Sequence, residues 1–247
     1  MNEYERIGGE YAKRRRADPR LARAVADALD GARSVVNVGA GAGSYEPSGP
    51  GTVAVEPAAV MIAQRPADAA PCVRAVAEAL PFGDGTFDAG LAVLTVHHWS
   101  DRRAGLRELV RVARRKVVLF TWDPDCDGFW LLTDYMPEML AADRRRFPGL
   151  GALREALGDV RVQRVAIPHD CTDGFLGAYW RRPDAYLDPS IRRGISSFAR
   201  DLYAAGVARL AADLESGAWA HKHGHILRRA ELDIGLCLVV ADGGRRA

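Results

Sequence analysis

Val35-Val-Asn-Val-Gly-Ala-Gly-Ala-Gly43 is the stretch on which the reading of this chain turns. An apolar run stops abruptly at three glycines, Gly39, Gly41 and Gly43. Glycine lacks Cβ, so a backbone built from it takes φ > 0 without penalty and lets a ligand approach closely. Further on, a second apolar run, Val53-Ala-Val55, ends in Glu56. A strand, a glycine turn and a second strand tipped by a carboxylate form a nucleotide-binding unit, and the carboxylate is placed to accept both hydroxyls of a ribose. The spacing is G-x-G-x-G and position 44 is Ser, so the third glycine comes one residue too early for a dinucleotide fingerprint. No Lys-[Ser/Thr] pair follows, which excludes a P-loop. The expected ligand is therefore an adenosine-bearing cofactor.

Working outward, the first half alternates strand-like and helical patterns. Residues 19–30 read as a helix with Leu21, Val25 and Leu29 on one face. Strands are expected at 34–38, 52–56, 72–76, 87–94 and 117–122. A helix capped by Asp101 is expected to run through Arg114. After the glycine turn, Pro47, Gly49, Pro50 and Gly51 leave room for only a very short helix. Such a series predicts an α/β fold: a Rossmann-like, doubly wound, mostly parallel seven-stranded sheet. The second half breaks the pattern. Residues 127–147 and 170–230 read as helical cap insertions over the strand ends, where open α/β sheets bind ligands. Residues 151–158 read as a helix, 160–167 as a strand and 232–241 as the last strand.

The 247 residues suit a single domain spanning 1–247, and 48% hydrophobic content is enough for a sizeable core. A net charge of +2 gives no argument for nucleic acid. Four scattered cysteines, none in C-x-x-C spacing, read as reduced thiols rather than a disulfide framework or zinc site. No apolar stretch approaches the length of a membrane span, and the first residues lack the apolar core of a signal peptide. The expectations are a cytoplasmic location, no membrane and no nucleic-acid partner, and a monomer or homodimer.

Four further motifs follow in order: Val53-Ala-Val-Glu-Pro57, Ala77-Glu-Ala-Leu-Pro-Phe82, Phe87-Asp88 and Leu94-Thr-Val-His-His-Trp99. With the glycine turn ahead of them, residues 4 to about 125 resemble a class I S-adenosylmethionine-dependent methyltransferase of the type 11 group. That resemblance implies S-adenosylmethionine as cofactor and S-adenosylhomocysteine as product. It implies that Gly39, Gly41 and Gly43 pass beneath the methionine part and ribose, and that Glu56 takes the ribose hydroxyls. Pro57 follows Glu56 in the same motif and joins the cofactor-binding set. Met61 would pack on adenine, Ala77 and Glu78 would contact the adenine edge, and Leu94 would lie near the sulfonium. Tyr11 and Arg15, in the N-terminal helices of residues 1–30 that cover the cofactor, would hold the methionine carboxylate. Two positions depart from the pattern: Asn37 and Val76 stand where an acid is usual.

Methyl transfer needs orientation and desolvation, and a base only where the acceptor keeps a proton in its reactive form. His97 and His98 are the first candidates, followed by His169, Asp170 and Asp173. Trp99, Trp122, Phe129, Trp130, Tyr135, Phe175, Tyr179 and Trp180 are the candidate walls of a closed cap. His221, His223 and His225 look like a metal cluster, but Gly224 interrupts them and no Cys or Glu accompanies them closely, so no metal site is expected. The expected function is methyl transfer to a small-molecule acceptor by in-line displacement in a closed pocket, as part of small-molecule metabolism. The alternatives are an NAD(P)-dependent oxidoreductase, which expects a different glycine spacing, and a non-catalytic S-adenosylmethionine-binding subunit, which Asn37 and Val76 would suit.

Overall fold

A computed structural model describes residues 15–47, 51–199 and 203–243. Helix α1 (Pro19–Ala28) opens with Asp18, whose carboxylate accepts from the Arg20 N–H at 2.9 Å, and with Pro19 in its first turn. It buries Leu21, Val25 and Ala28. Strands β1 (Val35–Val38), β2 (Thr52–Val55), β3 (Cys72–Val73), β4 (Phe87–Val93) and β5 (Ala113–Trp122) follow, with α2 (Ala59–Ile62) after β2 and α3 (Arg102–Val112) after β4. Next come α4 (Pro137–Arg146), α5 (Leu150–Leu157), β6 (Val160–Arg164) and β7 (Ile167–Pro168). Helices α6 (Pro189–Arg193), α7 (Ala204–Ser216) and α8 (Ala218–His223) precede β8 (Glu231–Leu232) and β9 (Leu236–Asp242).

Seven strands form one sheet in the order β3-β2-β1-β4-β5-β9-β6. Only β9 runs against its neighbours. This is the Rossmann-like, mostly parallel sheet that the alternation of strands and helices predicts. β1 is buried throughout and β4 nearly so, as strands covered on both faces should be.

Some boundaries differ from the sequence reading. The helix capped by Asp101 ends at Val112, and β5 begins at Ala113, in extended geometry. Asp88 on the neighbouring strand pairs with Arg114 at 2.8 Å, which holds those residues in the sheet. The strand read at 160–167 is two pieces, β6 pairing with β9 and β7 pairing with β8 in a separate two-stranded sheet. The last strand is divided as well, where Gly235 takes φ +93°. Among the described residues no helix follows the glycine turn, only turns as far as Tyr45.

The two segments that interrupt the sheet pattern carry a π-helical turn (Leu131–Tyr135), α4, α6, α7, α8 and several 3₁₀ turns. Trp130 is their centre, with ring centroids 5.3 Å from Trp219 and 5.9 Å from Tyr186. The Trp130 indole donates to the Trp180 carbonyl and that of Trp180 to the Ile167 carbonyl, both at 2.9 Å. Among the described residues no helix is long and apolar enough to cross a membrane.

Candidate active site

The glycine turn lies where β1, β2 and β4 end, and a cavity of about 510 Å³ opens there. Its lining includes Gly39, Gly41, Glu56, Pro57, Met61, Ala77, Glu78, Leu94, His97, His98 and Arg15. Gly43 is not among the lining residues. It takes φ +96° and faces Arg65 instead. His169 lines no cavity described here; its N–H donates to the Ala230 carbonyl at 2.9 Å, beside the two-stranded sheet. Tyr11 lies outside the described residues.

The turn has two different reasons for its glycines. Gly39 takes φ +73°, and a Cβ there would collide with the side chain of Thr95. Gly41 takes φ +54°, and a Cβ there would reach 3.4 Å from the Met61 Cε. Gly39 thus serves close packing of the turn on the end of β4, whereas Gly41 keeps the cavity floor open. A buried ion pair props the turn from below: the Arg65 guanidinium donates to Glu46 at 2.6 Å and to the Gly41 carbonyl at 3.3 Å. Asn37 donates to Glu46 at 3.2 Å, so the residue at the usual acidic position is used inside the fold and does not line the cavity. Val76 does line it, and is 47% exposed.

Glu56 is 5% exposed. Its two oxygens accept from the Gly41 and Ala58 N–H groups, each at 2.9 Å. Burial raises its pKa, against those hydrogen bonds and the nearby Arg65. A carboxylate has about four lone-pair directions, so two amide donors leave room for two hydroxyl donors. That capacity, the open floor over Gly41 and the apolar Met61 beside it fit an adenosyl group. Glu78 is differently occupied. Its carboxylate accepts from the Ser100 hydroxyl at 2.8 Å and the Asp101 N–H at 3.0 Å. Burial pushes its pKa up, but those hydrogen bonds outweigh burial and leave it lowered.

At the end of β4, Leu94 takes φ +48°, a left-handed conformation costly for a branched side chain. It is held there by its N–H donating to the Phe120 carbonyl at 2.7 Å. A 3₁₀ turn, Val96–His98, follows. The ring of His97 stacks on Phe147 at 3.8 Å and 20°, and lies 3.9 Å from that of His98. An Arg146 guanidinium nitrogen is 3.1 Å from the His98 Nδ1.

Arg15 is oriented by Asp173, with Nε to Oδ1 at 2.7 Å and a terminal nitrogen to Oδ2 at 3.2 Å. Asp173 also accepts from the Tyr45 hydroxyl at 2.7 Å and the Gly174 N–H at 2.6 Å. Its side chain is wholly buried. Asp173, one of the candidate proton acceptors, is thus engaged inside the fold by Arg15, Tyr45 and the Gly174 N–H. Asp170 pairs with Arg20 on the surface at 2.7 Å and is removed from the site.

A second, smaller cavity of about 100 Å³ adjoins the first and shares Arg15, Leu94, His97, His98 and Arg146 with it. Of the eight aromatic candidates, Trp99 lines the first cavity and Trp122, Phe129 and Phe175 the second. Trp130, Tyr135 and Trp180 are core, and Tyr179 packs against Arg182 at 4.7 Å. His223 is buried with Nε2 2.8 Å from Asp134, while His221 and His225 are exposed. Sequence reasoning missed Tyr45, Thr95, Arg146 and Phe147. Thr95, inside the Leu94–Trp99 motif, and Tyr45, an aromatic residue two positions past Gly43, carried a local signal; Arg146 and Phe147 carried none.

A family profile described as a methyltransferase domain matches residues 36–121. A solved structure of a candidate methyltransferase from an antibiotic biosynthesis pathway of Anabaena variabilis is 34% identical. The match covers 92% of this chain and 98% of that one, with a TM-score of 0.81. A SAM-dependent methyltransferase of Thermotoga maritima is 20% identical over 67% of this chain and 84% of its own, with a TM-score of 0.53, and shares the fold. An uncharacterized protein of Mycobacterium tuberculosis is 32% identical over 130 residues. The match spans about half the length of that curated relative, 47% of it and 44% of this chain. On the ordered motifs, the cavity at the strand ends and a likeness to the Anabaena protein that runs nearly end to end, this chain belongs to the class I S-adenosylmethionine-dependent methyltransferases.

Proposed function

We propose that this chain transfers a methyl group from S-adenosylmethionine to a small-molecule acceptor, by in-line displacement in a closed pocket. When bound, the cofactor supplies a methyl carbon made electrophilic by the adjoining sulfonium. In this reading Glu56 accepts the ribose hydroxyls, and the Gly39–Gly41 backbone passes beneath the methionine part and ribose. Gly43 acts only by shaping the turn. Met61 and Pro57 pack beside the adenosyl group, Ala77 contacts the adenine edge, and Glu78 contributes mainly by holding the start of α3. Arg15, oriented by Asp173, faces the methionine carboxylate, with Tyr11 as the second partner that the family resemblance assigns.

Leu94 forms the neck between the two cavities. His97 or His98 takes a proton where the acceptor's nucleophile carries one, and His169 has no part. Residues 127–147 and 170–230 act as the cap, excluding water from the neck, which is the main service a methyl transfer needs from its protein. A reducing, cytoplasmic setting of small-molecule metabolism suits the four free cysteines.

The observation that carries this reading is the buried Glu56 carboxylate at the rim of a 510 Å³ cavity floored by Gly41. Titration calorimetry with S-adenosylhomocysteine tests it. Binding to the wild type and its loss in Glu56→Ala are expected. No heat with the wild type, or equal binding in the variant, removes the proposal. Incubation with methyl-labelled cofactor and a metabolite extract, followed by mass identification of labelled products, tests the transfer itself.

A further inference from the structure

The second cavity is adjacent to the place where transfer would occur, and its chemistry differs from that of the first. Its walls are mainly Trp122, Phe129, Leu132, Phe175, Ile195 and Leu236. The Trp122 indole N–H already donates to the Ile234 carbonyl at 2.7 Å, so that side chain offers its neighbours hydrocarbon only. The stacked His97–Phe147 pair closes one side, with Phe147 edge-on to Trp122 at a centroid distance of 5.2 Å. Charged groups enter mostly from the cofactor side, as Arg15 and Arg146, with Asp143 the lone carboxylate of the lining. Leu94 is held in its left-handed conformation where the two cavities meet. Strain of this kind persists only where the surroundings over-determine it, and it clusters at ligand clamps.

We propose that this cavity seats the body of the methyl acceptor, and that the acceptor is a hydrophobic, ring-bearing molecule with its reacting group turned toward Leu94 and His97. The inference rests on the methyltransferase reading of the first cavity. A dry cavity of roughly 150 Å³ lined by Leu, Ile and Phe takes up benzene; at about 100 Å³ this space limits the body to a single ring at most, and because it joins the first cavity the ring can extend into the neck. The polar side chains of the lining, Ser196 and Ser197 beside Arg15, Arg146, Asp143, His97 and His98, can meet a few polar groups of the acceptor. A polyhydroxylated body would set most of its hydroxyls against the apolar walls, which is unfavourable for every polar group so stranded. One polar reacting group, directed out of the apolar wall and into the neck, avoids that cost.

Saturation-transfer NMR on the full chain with S-adenosylhomocysteine present provides the test, with p-cresol and erythritol as probes. Saturation of the p-cresol ring protons is expected, with little or none for erythritol. Leu132→Trp and Ile195→Trp fill the cavity and are expected to abolish the p-cresol signal. A variant that still binds S-adenosylhomocysteine by calorimetry has kept its fold, so a p-cresol signal that survives in it overturns the inference. Equal saturation of erythritol in the wild type overturns it as well. A measurement that needs no filled variant is the Trp122 indole resonance, assigned by its disappearance in Trp122→Phe. It is expected to move when p-cresol is added, and a stationary resonance removes the cavity from consideration. Absence of S-adenosylhomocysteine binding in the wild type is a separate failure, that of the cofactor reading.

Discussion

The two cavities sit side by side and are built in opposite ways. The first takes most of its lining from short stretches directly after strands: 39–45 after β1, 56–61 after β2, and 93–100 at the end of β4. Each stretch is fixed by local features, such as a glycine at φ > 0 or a carboxylate taking two amides. The second draws on side chains near 94–98, 122, 129–132, 143–147, 175, 195–197 and 234–236. No two of those segments are related by a motif, and their convergence is a result of packing. A site that holds an unvarying group can be written into loops on a rigid sheet. The second cavity, which we propose for the acceptor, is assembled from a surface that can change without disturbing the sheet.

The strongest way to break this contrast is to cut the link between the halves. Asp173 ties Arg15 and Tyr45 to the segment 170–230 and is wholly buried. Asp173→Ala removes two charge-assisted hydrogen bonds from the mostly buried Arg15 and the acceptor of the Tyr45 hydroxyl. A loss of about 4 kcal/mol of stability is expected, read by chemical denaturation. A loss below about 1 kcal/mol would mean that the halves hold together without this anchor.

Second in size is Gly39→Val, which combines an unfavourable φ with a collision against Thr95. About 3 kcal/mol of destabilisation is expected, together with loss of S-adenosylhomocysteine binding. A folded, binding-competent variant would show that the turn tolerates a side chain and that its glycines are incidental.

Third is Glu56→Gln, expected to weaken S-adenosylhomocysteine binding roughly tenfold to a hundredfold, the loss of one or two hydrogen bonds to a charged acceptor. The pH dependence sharpens this test. Burial raises the Glu56 pKa, so the folded chain keeps the proton at pH values where the unfolded chain has released it. Across that interval the free energy of unfolding falls as pH rises. Ribose recognition uses the ionised form, so affinity falls as pH drops through the raised pKa, and Glu56→Gln flattens that profile. A profile identical in both proteins would place the titrating group elsewhere.

The smallest effect belongs to Asp170, three residues before Asp173 and exposed. Asp170→Ala is expected to leave the denaturation midpoint and cofactor binding unchanged, because solvent screens an exposed pair. A clear shift would show that the surface of segment 170–230, and not only its buried anchor, supports the site.

The sequence by itself determined the parallel sheet, the place of the cavity and the adenosine-bearing class of its ligand, because those depend on short-range geometry, and the resemblance of its ordered motifs to a known family supplied the cofactor's identity. Apolar runs make buried strands, glycine at Gly39 and Gly41 permits the turn, and a carboxylate at a strand tip falls beside it. Tertiary structure alone decided that Gly43 and His169 stand outside the lining, that Asp173 is an anchor, and that Arg146 and Phe147 meet His98 and His97. Those facts depend on contacts between residues far apart along the chain. No local pattern encodes them, since the same residue type serves equally as core, anchor or site until its neighbours in space are known.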